Sequence, residues 1–357
     1  MAEPSPLRRS TPREYRSERL LALLAEFERV VLVSHVNPDP DALASMLGLE
    51  TLIRQRLPDK PVTLTVEGII ARAENQAMVD LLQIPLRPIE SVPIDAGAAV
   101  VMVDSQPHTG RRANEEARPV AVLDHHETPG HLDGVRYLDI RPNLGATSTM
   151  VTGYLLEQEI AVDRRLATAL LYGVESETTG YPREASSVDD GALVWLFPRA
   201  DKDLLAQIKN PRLPQTYFAV YLHALSNAFL YRDVVVSYLG QVPQPDIVAE
   251  LADFFIRFDQ VAWSICLGLF DGQLKISLRS DHIGAESGDV LREVVDGLGT
   301  AGGHDKRAGG AIRLADASPD AIDALLRTLR RRFLSRLDID EQYGRRLLVA
   351  SPVFPVP

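Results

Sequence analysis

The sequence predicts an α/β protein of two domains, the first built on a parallel sheet and the second smaller and mixed. Three observations predict this. Unbroken aliphatic runs recur at residues 30–33, 98–103 and 119–123, and such runs mark strands buried on both faces, as in a parallel sheet. Each run is followed within two residues by Asp or His. The chain of 357 residues is long for a single core, which suggests two domains.

Taken in order, residues 1–14 carry Pro, Ser and Arg without periodicity and read as a loose tail. Residues 15–29 read as a short amphipathic helix leading into the first strand. Asp41 then gives an acidic first turn to a helix over 41–55. Residues 62–66 predict a second strand, and a helix begins at 72–75. A helical turn at about 111–117 separates the strand ending at Asp104 from the one ending at Asp124. His131 and Asp139 are lone polar residues, expected to be structural or exposed. Gly145-Ala146-Thr147-Ser148-Thr149 opens a helix whose hydroxyls are expected to cap it. An apolar helix follows over 163–176.

Residues 187–230 predict linker helices. Their apolar stripe of Tyr217, Phe218, Tyr221 and Leu225 reads as interdomain core, with His223 buried in it. Beyond them, strands are predicted at 234–239, 261–270 and 274–278, and helices at 246–257, 289–296 and 320–337. Asp271-Gly272 is a type I′ hairpin signal. The domain boundaries are expected at 15–195 for the first domain, 196–230 for a helical linker and 231–340 for the second domain.

Net charge is −11, from 49 acidic and 38 basic residues. That weighs against long duplex nucleic acid, which requires many phosphate contacts from Lys and Arg. Small anions remain open as ligands, since a metal cluster and a few local basic groups can attract them. Cys266 is the only cysteine, so no intrachain disulfide forms and a reducing, cytoplasmic setting fits. The early apolar run over 20–25 is cut by Glu26 and is too short for a signal or a membrane span, so no membrane partner is expected.

The chemistry concentrates where the strands end. The loop after residue 33 holds His35, Asp39 and Asp41, a mixed N/O set suited to a divalent metal. Pro38 and Pro40 stiffen that loop. Asp104 and then Asp124-His125-His126 close the next two buried strands. In open α/β sheets the carboxyl ends of strands are where ligands bind.

The combination of HxNPDxD over 35–41, a strand-terminal Asp104 and DHH at 124–126 resembles the DHH phosphoesterase superfamily. Downstream, AGGHDKRAGGAI at 301–312 resembles the GGGHxxAAG motif of its DHHA1 substrate-binding domain, with Ala301 where Gly is frequent. The resemblance covers most of residues 30–315. It implies a Rossmann-like parallel-sheet DHH domain, a mixed α/β DHHA1 domain and a cleft between them. It also implies two divalent ions, usually Mn²⁺ with Mg²⁺ as the alternative. On that resemblance, Asp104 bridges the ions, His35, Asp39 and Glu177 hold one, and Asp41 and His125 hold the other. Glu177 stands where the family pattern has Asp, and the 145–149 segment resembles a small-residue GATS segment that packs near the metals in the family. His126 contacts the scissile phosphate and Asp124 orients a histidine. Arg279, Ser280, Gly302, Gly303, His304 and Arg307 form the substrate-binding set.

The activity implied is hydrolysis of short RNA or small nucleotides: nanoRNA, pAp, or linear or cyclic dinucleotides. The layout is that of the nanoRNase and pAp phosphatase group, and a homodimer is compatible with it. The alternatives are a nucleotide-binding regulator weakened in catalysis or, within the same chemistry, a pyrophosphatase or exopolyphosphatase. A dinucleotide dehydrogenase is excluded because no G-x-G-x-x-G follows a strand.

Overall fold

Aliphatic side chains on both faces of each run drive β1 (Arg29–Val33), β4 (Ala98–Val103) and β5 (Ala121–Asp124) into the middle of one sheet. A computed structural model of the protein describes residues 15–107, 118–128, 132–179, 185–303, 305–340 and 343–348. The turn expected at 111–117, His131, His304 and the first fourteen residues lie outside the described residues. The chain divides into two units, Met1–Pro211 and Arg212–Pro357.

In the first unit, β2 (Val62–Val66), β3 (Leu86–Pro88) and β6 (Tyr137–Ile140) complete a parallel sheet of order β3-β2-β1-β4-β5-β6. The order reverses at β1 and β4: the chain runs outward from β1 to β3, then returns to the other side of β1. Val30 and Leu32 point into one cluster, Val31 and Val33 into another, the alternation that a strand imposes.

The larger cluster is covered by α2 (Pro40–Arg56), α4 (Thr147–Glu157) and α5 (Arg164–Thr178). Helix α2 is buried almost all round from Pro40 to Ile53, which marks it as a central helix rather than a surface one. The sequence placed this helix correctly because Asp39, its N-cap, accepts a bond from the Ala42 amide (3.0 Å) and Pro40 follows at the first helical position. The remaining helices of this unit are α1 (Arg16–Ala25), α3 (Ala73–Leu81), α6 (Ser187–Leu196) and α7 (Lys202–Lys209).

Asp139 is structural and buried. From the edge strand β6 it accepts bonds from Arg141 (Nε 2.9 Å, Nη2 2.6 Å), from the Tyr154 hydroxyl of α4 (2.6 Å) and from Arg16 of α1. Burial opposes its ionisation, but the bonds from Arg141 and Tyr154 win and hold its pKa below the usual carboxylate value. Asp139→Ala is expected to lower the unfolding free energy by about 3 kcal/mol, the low end for breaking a buried pair because Arg16 is half exposed. Chemical denaturation checks this. A depressed folded pKa stabilises above the unfolded value of about 3.9 and is lost as pH falls through the folded one. The difference between parent and variant should therefore shrink only in acid.

The second unit is a mixed sheet of order β11-β12-β10-β9-β8-β7-β13. Its strands are β7 (Ala228–Tyr231), β8 (Val234–Gln241), β9 (Trp263–Phe270), β10 (Gln273–Ser280), β11 (Thr300–Gly303), β12 (Arg307–Arg313) and β13 (Arg345–Arg346). Among the described residues of this sheet, only the β8–β9 pair is parallel. Helices α8 (Gln215–Ser226) and α9 (Asp246–Phe255) pack in one cluster, and α10 (Ser287–Val295) and α11 (Pro319–Arg336) in another.

The hairpin at Asp271-Gly272 is present, with φ of 46° and 67° as a type I′ turn requires. One expectation is corrected. His223 is exposed rather than buried, because α8 packs through Tyr217 and Ala224 and leaves Phe218 64% exposed. Gly302 and Gly303 lie on β11, paired antiparallel with Gly309 and Ala308 of β12. Among the described residues no helix is long and apolar enough to cross a membrane.

Candidate metal centre

The reversal in strand order puts β1, β4 and β5 side by side, so that their carboxyl ends deliver His35, Asp104 and the 124–126 segment to one place. Open α/β sheets bind ligands at such a switch point. Asp104 is 1% exposed and sits at φ 55°. An L residue takes that conformation at a cost of order 1 kcal/mol, and only where its surroundings enforce it.

The two carboxylate oxygens of Asp104 face different histidines. Oδ2 lies 3.6 Å from His35 Nε2, which is also 3.7 Å from Asp39 Oδ2. Oδ1 lies 3.5 Å from His125 Nε2, which is also 3.8 Å from Asp41 Oδ2. Two groups with ligand atoms within 4.8 Å of one another result, His35/Asp39/Asp104 and Asp104/His125/His126. They share Asp104.

Backbone carbonyls fix the imidazoles for this use. His35 Nδ1 is 3.0 Å from the Val36 carbonyl and His125 Nδ1 is 3.3 Å from that of Leu144. A carbonyl only accepts, so Nδ1 carries the proton in each ring and Nε2 is turned toward the carboxylates. That is the orientation a metal-ligating histidine needs. The donor set therefore fits a divalent cation chemically: imidazole nitrogens and carboxylates, with one carboxylate common to both groups.

The electrostatics agree. Burial pushes the Asp41 carboxyl well above its usual pKa, and the charges of Asp104 and Asp39 push it further. Burial disfavours protonated His35, but bonds to Asp104 and Asp39 outweigh it and raise its pKa well above 6.5. Asp39 is in turn held low: burial opposes its ionisation, but the His35 partnership wins. Crowded anions that recruit protons in this way are a site asking for positive charge.

Asp124 does orient a histidine. Its Oδ1 is 2.8 Å from His126 Nδ1 and accepts from the His126 amide at 3.2 Å. Despite burial, the His126 contacts keep its pKa lowered. Gln106 Nε2 donates to the His126 carbonyl (3.0 Å); nothing in the sequence singled it out.

The 145–149 segment packs against the centre, as the resemblance implies, and its hydroxyls do not cap α4. Ala146 is the N-cap and makes no side-chain bond. Instead the carboxylate of Asp41, fully buried, accepts from the amides of Thr147 and Ser148, each at 2.7 Å. Thr147 Oγ1 donates to Asp104 Oδ1 at 2.9 Å. A carboxylate on one helix caps the positive end of another. Gly173 allows this approach, since a Cβ there would stand 2.4 Å from Ser148 Oγ.

Glu177, half-buried at the last turn of α5, lies in neither three-residue group, though its charge reaches Asp41. The remaining expected residues belong to the second unit. Arg279 on β10 donates from Nε to Asp253 (2.5 Å) and from Nη1 to Ser277 Oγ (2.7 Å) and the Leu278 carbonyl (2.9 Å). Ser280 Oγ accepts from the His282 amide at 3.1 Å. Gly302 and Gly303 lie on β11, and a Cβ at Gly303 would stand 2.3 Å from the Arg307 carbonyl. Arg307 opens β12 and is exposed.

Residues 29–174 match the model of the DHH family, N-terminal domain. Over 161 residues, 44% of this chain, the sequence is 24% identical to a probable bifunctional oligoribonuclease and PAP phosphatase of Streptococcus mutans, covering 48% of that protein. Over 332 residues, 87% of this chain, it is 25% identical to a cyclic-di-AMP phosphodiesterase of Geobacillus thermodenitrificans, again covering 48%. The chain thus spans about half the length of these two relatives. Its fold is that of an exopolyphosphatase-related protein from Bacteroides fragilis, with a TM-score of 0.71 over 90% of this chain and 97% of that one at 18% identity.

Proposed function

We propose, for a chain whose residues 29–174 are a DHH family N-terminal domain, that it is a divalent-metal-dependent phosphoesterase acting on short oligonucleotides or small nucleotides. The observation that carries this reading is the pair of ligand groups joined through buried Asp104. His35, Asp39 and Asp104 would hold one ion, with Glu177 as its further candidate ligand. His125 and Asp41 would hold the other with Asp104. Two divalent ions, Mn²⁺ by preference, would supply an activated water and offset charge on the attacking and leaving oxygens. Around them, this chain's residues position and neutralise. His126, braced by Asp124, meets a phosphoryl oxygen, and the Thr147 and Ser148 amides keep Asp41 from turning away. The substrate class rests on the activities of the two relatives and on the motif layout.

Purified protein with Mn²⁺, assayed against a linear dinucleotide, a tetranucleotide RNA, pAp and cyclic-di-AMP, tests the reading. Turnover of one or more is the expected result, and no turnover of any would leave a nucleotide-binding protein without catalysis. Residues of the second unit are assigned to the substrate's far phosphate or base. Arg279→Ala should therefore impair dinucleotide cleavage strongly, in kcat as well as KM, because remote binding energy also serves positioning. It should leave Mn²⁺ affinity and hydrolysis of bis-p-nitrophenyl phosphate nearly unchanged. Equal loss on both substrates would assign Arg279 to the chemical centre instead.

A further inference from the structure

Asp189, in the first turn of α6, is a fully buried carboxylate outside the metal centre. Neutral donors satisfy it: Thr149 Oγ1 at 2.6 Å, the Gly145 amide at 2.9 Å, and the Ser186 amide and hydroxyl, each at 2.7 Å. Those bonds keep its pKa low although burial opposes ionisation. Burying a charge is costly when no cation accompanies it. Capping α6 does not demand that cost, because Ser186 Oγ already accepts from the amides of Val188 (3.2 Å) and Asp189 (3.4 Å).

What Asp189 adds is a grip on both ends of residues 145–149. The amides in the middle of that segment are the ones that donate to Asp41, and its Thr147 hydroxyl reaches Asp104. A continuous set of short bonds thus runs from Asp189 through the segment to two residues of the centre. We propose that Asp189 is a positioning residue for the metal centre, acting through the 145–149 segment to fix the amides that aim Asp41. The proposal rests on the reading of Asp41 and Asp104 as metal ligands. Outer partners of ligating carboxylates set metal affinity in this way, and losing one costs about 10- to 100-fold.

The test is direct Mn²⁺ binding by the full chain, measured by titration calorimetry without substrate, alongside thermal midpoints. Asp189→Asn puts an N–H group where a second acceptor stood, and Thr149→Val removes only the contact on the side of the 145–149 segment. Both are expected to bind Mn²⁺ about 10- to 100-fold more weakly. Ser186→Ala strips only the α6 side, so it should lower the thermal midpoint and leave Mn²⁺ affinity unchanged. If Asp189→Asn does not fold, the contrast between Thr149→Val and Ser186→Ala decides alone. Parent-like Mn²⁺ binding in Thr149→Val overturns the proposal, and so does an equal loss in Ser186→Ala, which would make Asp189 a helix cap. A parent that binds no Mn²⁺ overturns the functional reading and this inference with it.

Discussion

Removal of divalent ions with EDTA should abolish phosphoester hydrolysis, and Mn²⁺ should restore it better than Ca²⁺. Calcium prefers shells built wholly of oxygen, whereas both ligand groups here include imidazole. Stripping the ions also leaves Asp39, Asp41 and Asp104 uncompensated, the crowding that pushes the Asp41 carboxyl up. Mn²⁺ should accordingly raise the thermal midpoint in a concentration-dependent way, since it binds the folded state and not the dispersed ligands of the unfolded one. Full activity in a demonstrably metal-free preparation would refute the two-ion reading.

Asp104→Ala should be nearly as severe, with a fall in kcat on the order of 10²- to 10³-fold or more, the scale of losing a group that places transition-state charge. Both ligand groups lose their common member at once, which no other substitution in the centre does. The fold should survive. The substitution removes a buried anion from a crowded set, and the Thr147 hydroxyl loses one acceptor in return. Circular dichroism should therefore remain parent-like while activity disappears. An Asp104→Ala protein with comparable turnover would rule out the bridging role.

The fold of the first unit was legible because each strand of its centre is an aliphatic run with no polar interruption. The parallel sheet and the placement of His35, Asp104 and Asp124–His126 at neighbouring strand ends follow from that pattern. What the sequence could not show is which groups satisfy which. Thr147, Ser148 and Thr149 look like capping residues by local preference, yet a carboxylate more than a hundred positions earlier caps α4. Asp139 reads as a stray acid, because its partners Arg16 and Tyr154 come from distant helices. His223 lies on an apolar stripe of α8, but the period alone does not say which face is covered. The motif over 301–312 does not show that Gly302 and Gly303 lie on a strand, and only pairing with β12 reveals it. In each case the missing information is tertiary.

The sheet order carries a consequence for how the molecule comes together and falls apart. Val33 pairs with Met102, and Val103 with Leu123, so the ligands meet only after two long stretches of chain have closed. Parallel pairings between distant segments form slowly, because loop closure precedes any reward from contact. A centre completed that late contributes little to the folding transition state. By the usual partition of rates, a bound cation should leave the refolding rate nearly unchanged and slow unfolding instead. The centre would then act as a latch on a finished structure, and its occupancy would set how long the first unit stays closed.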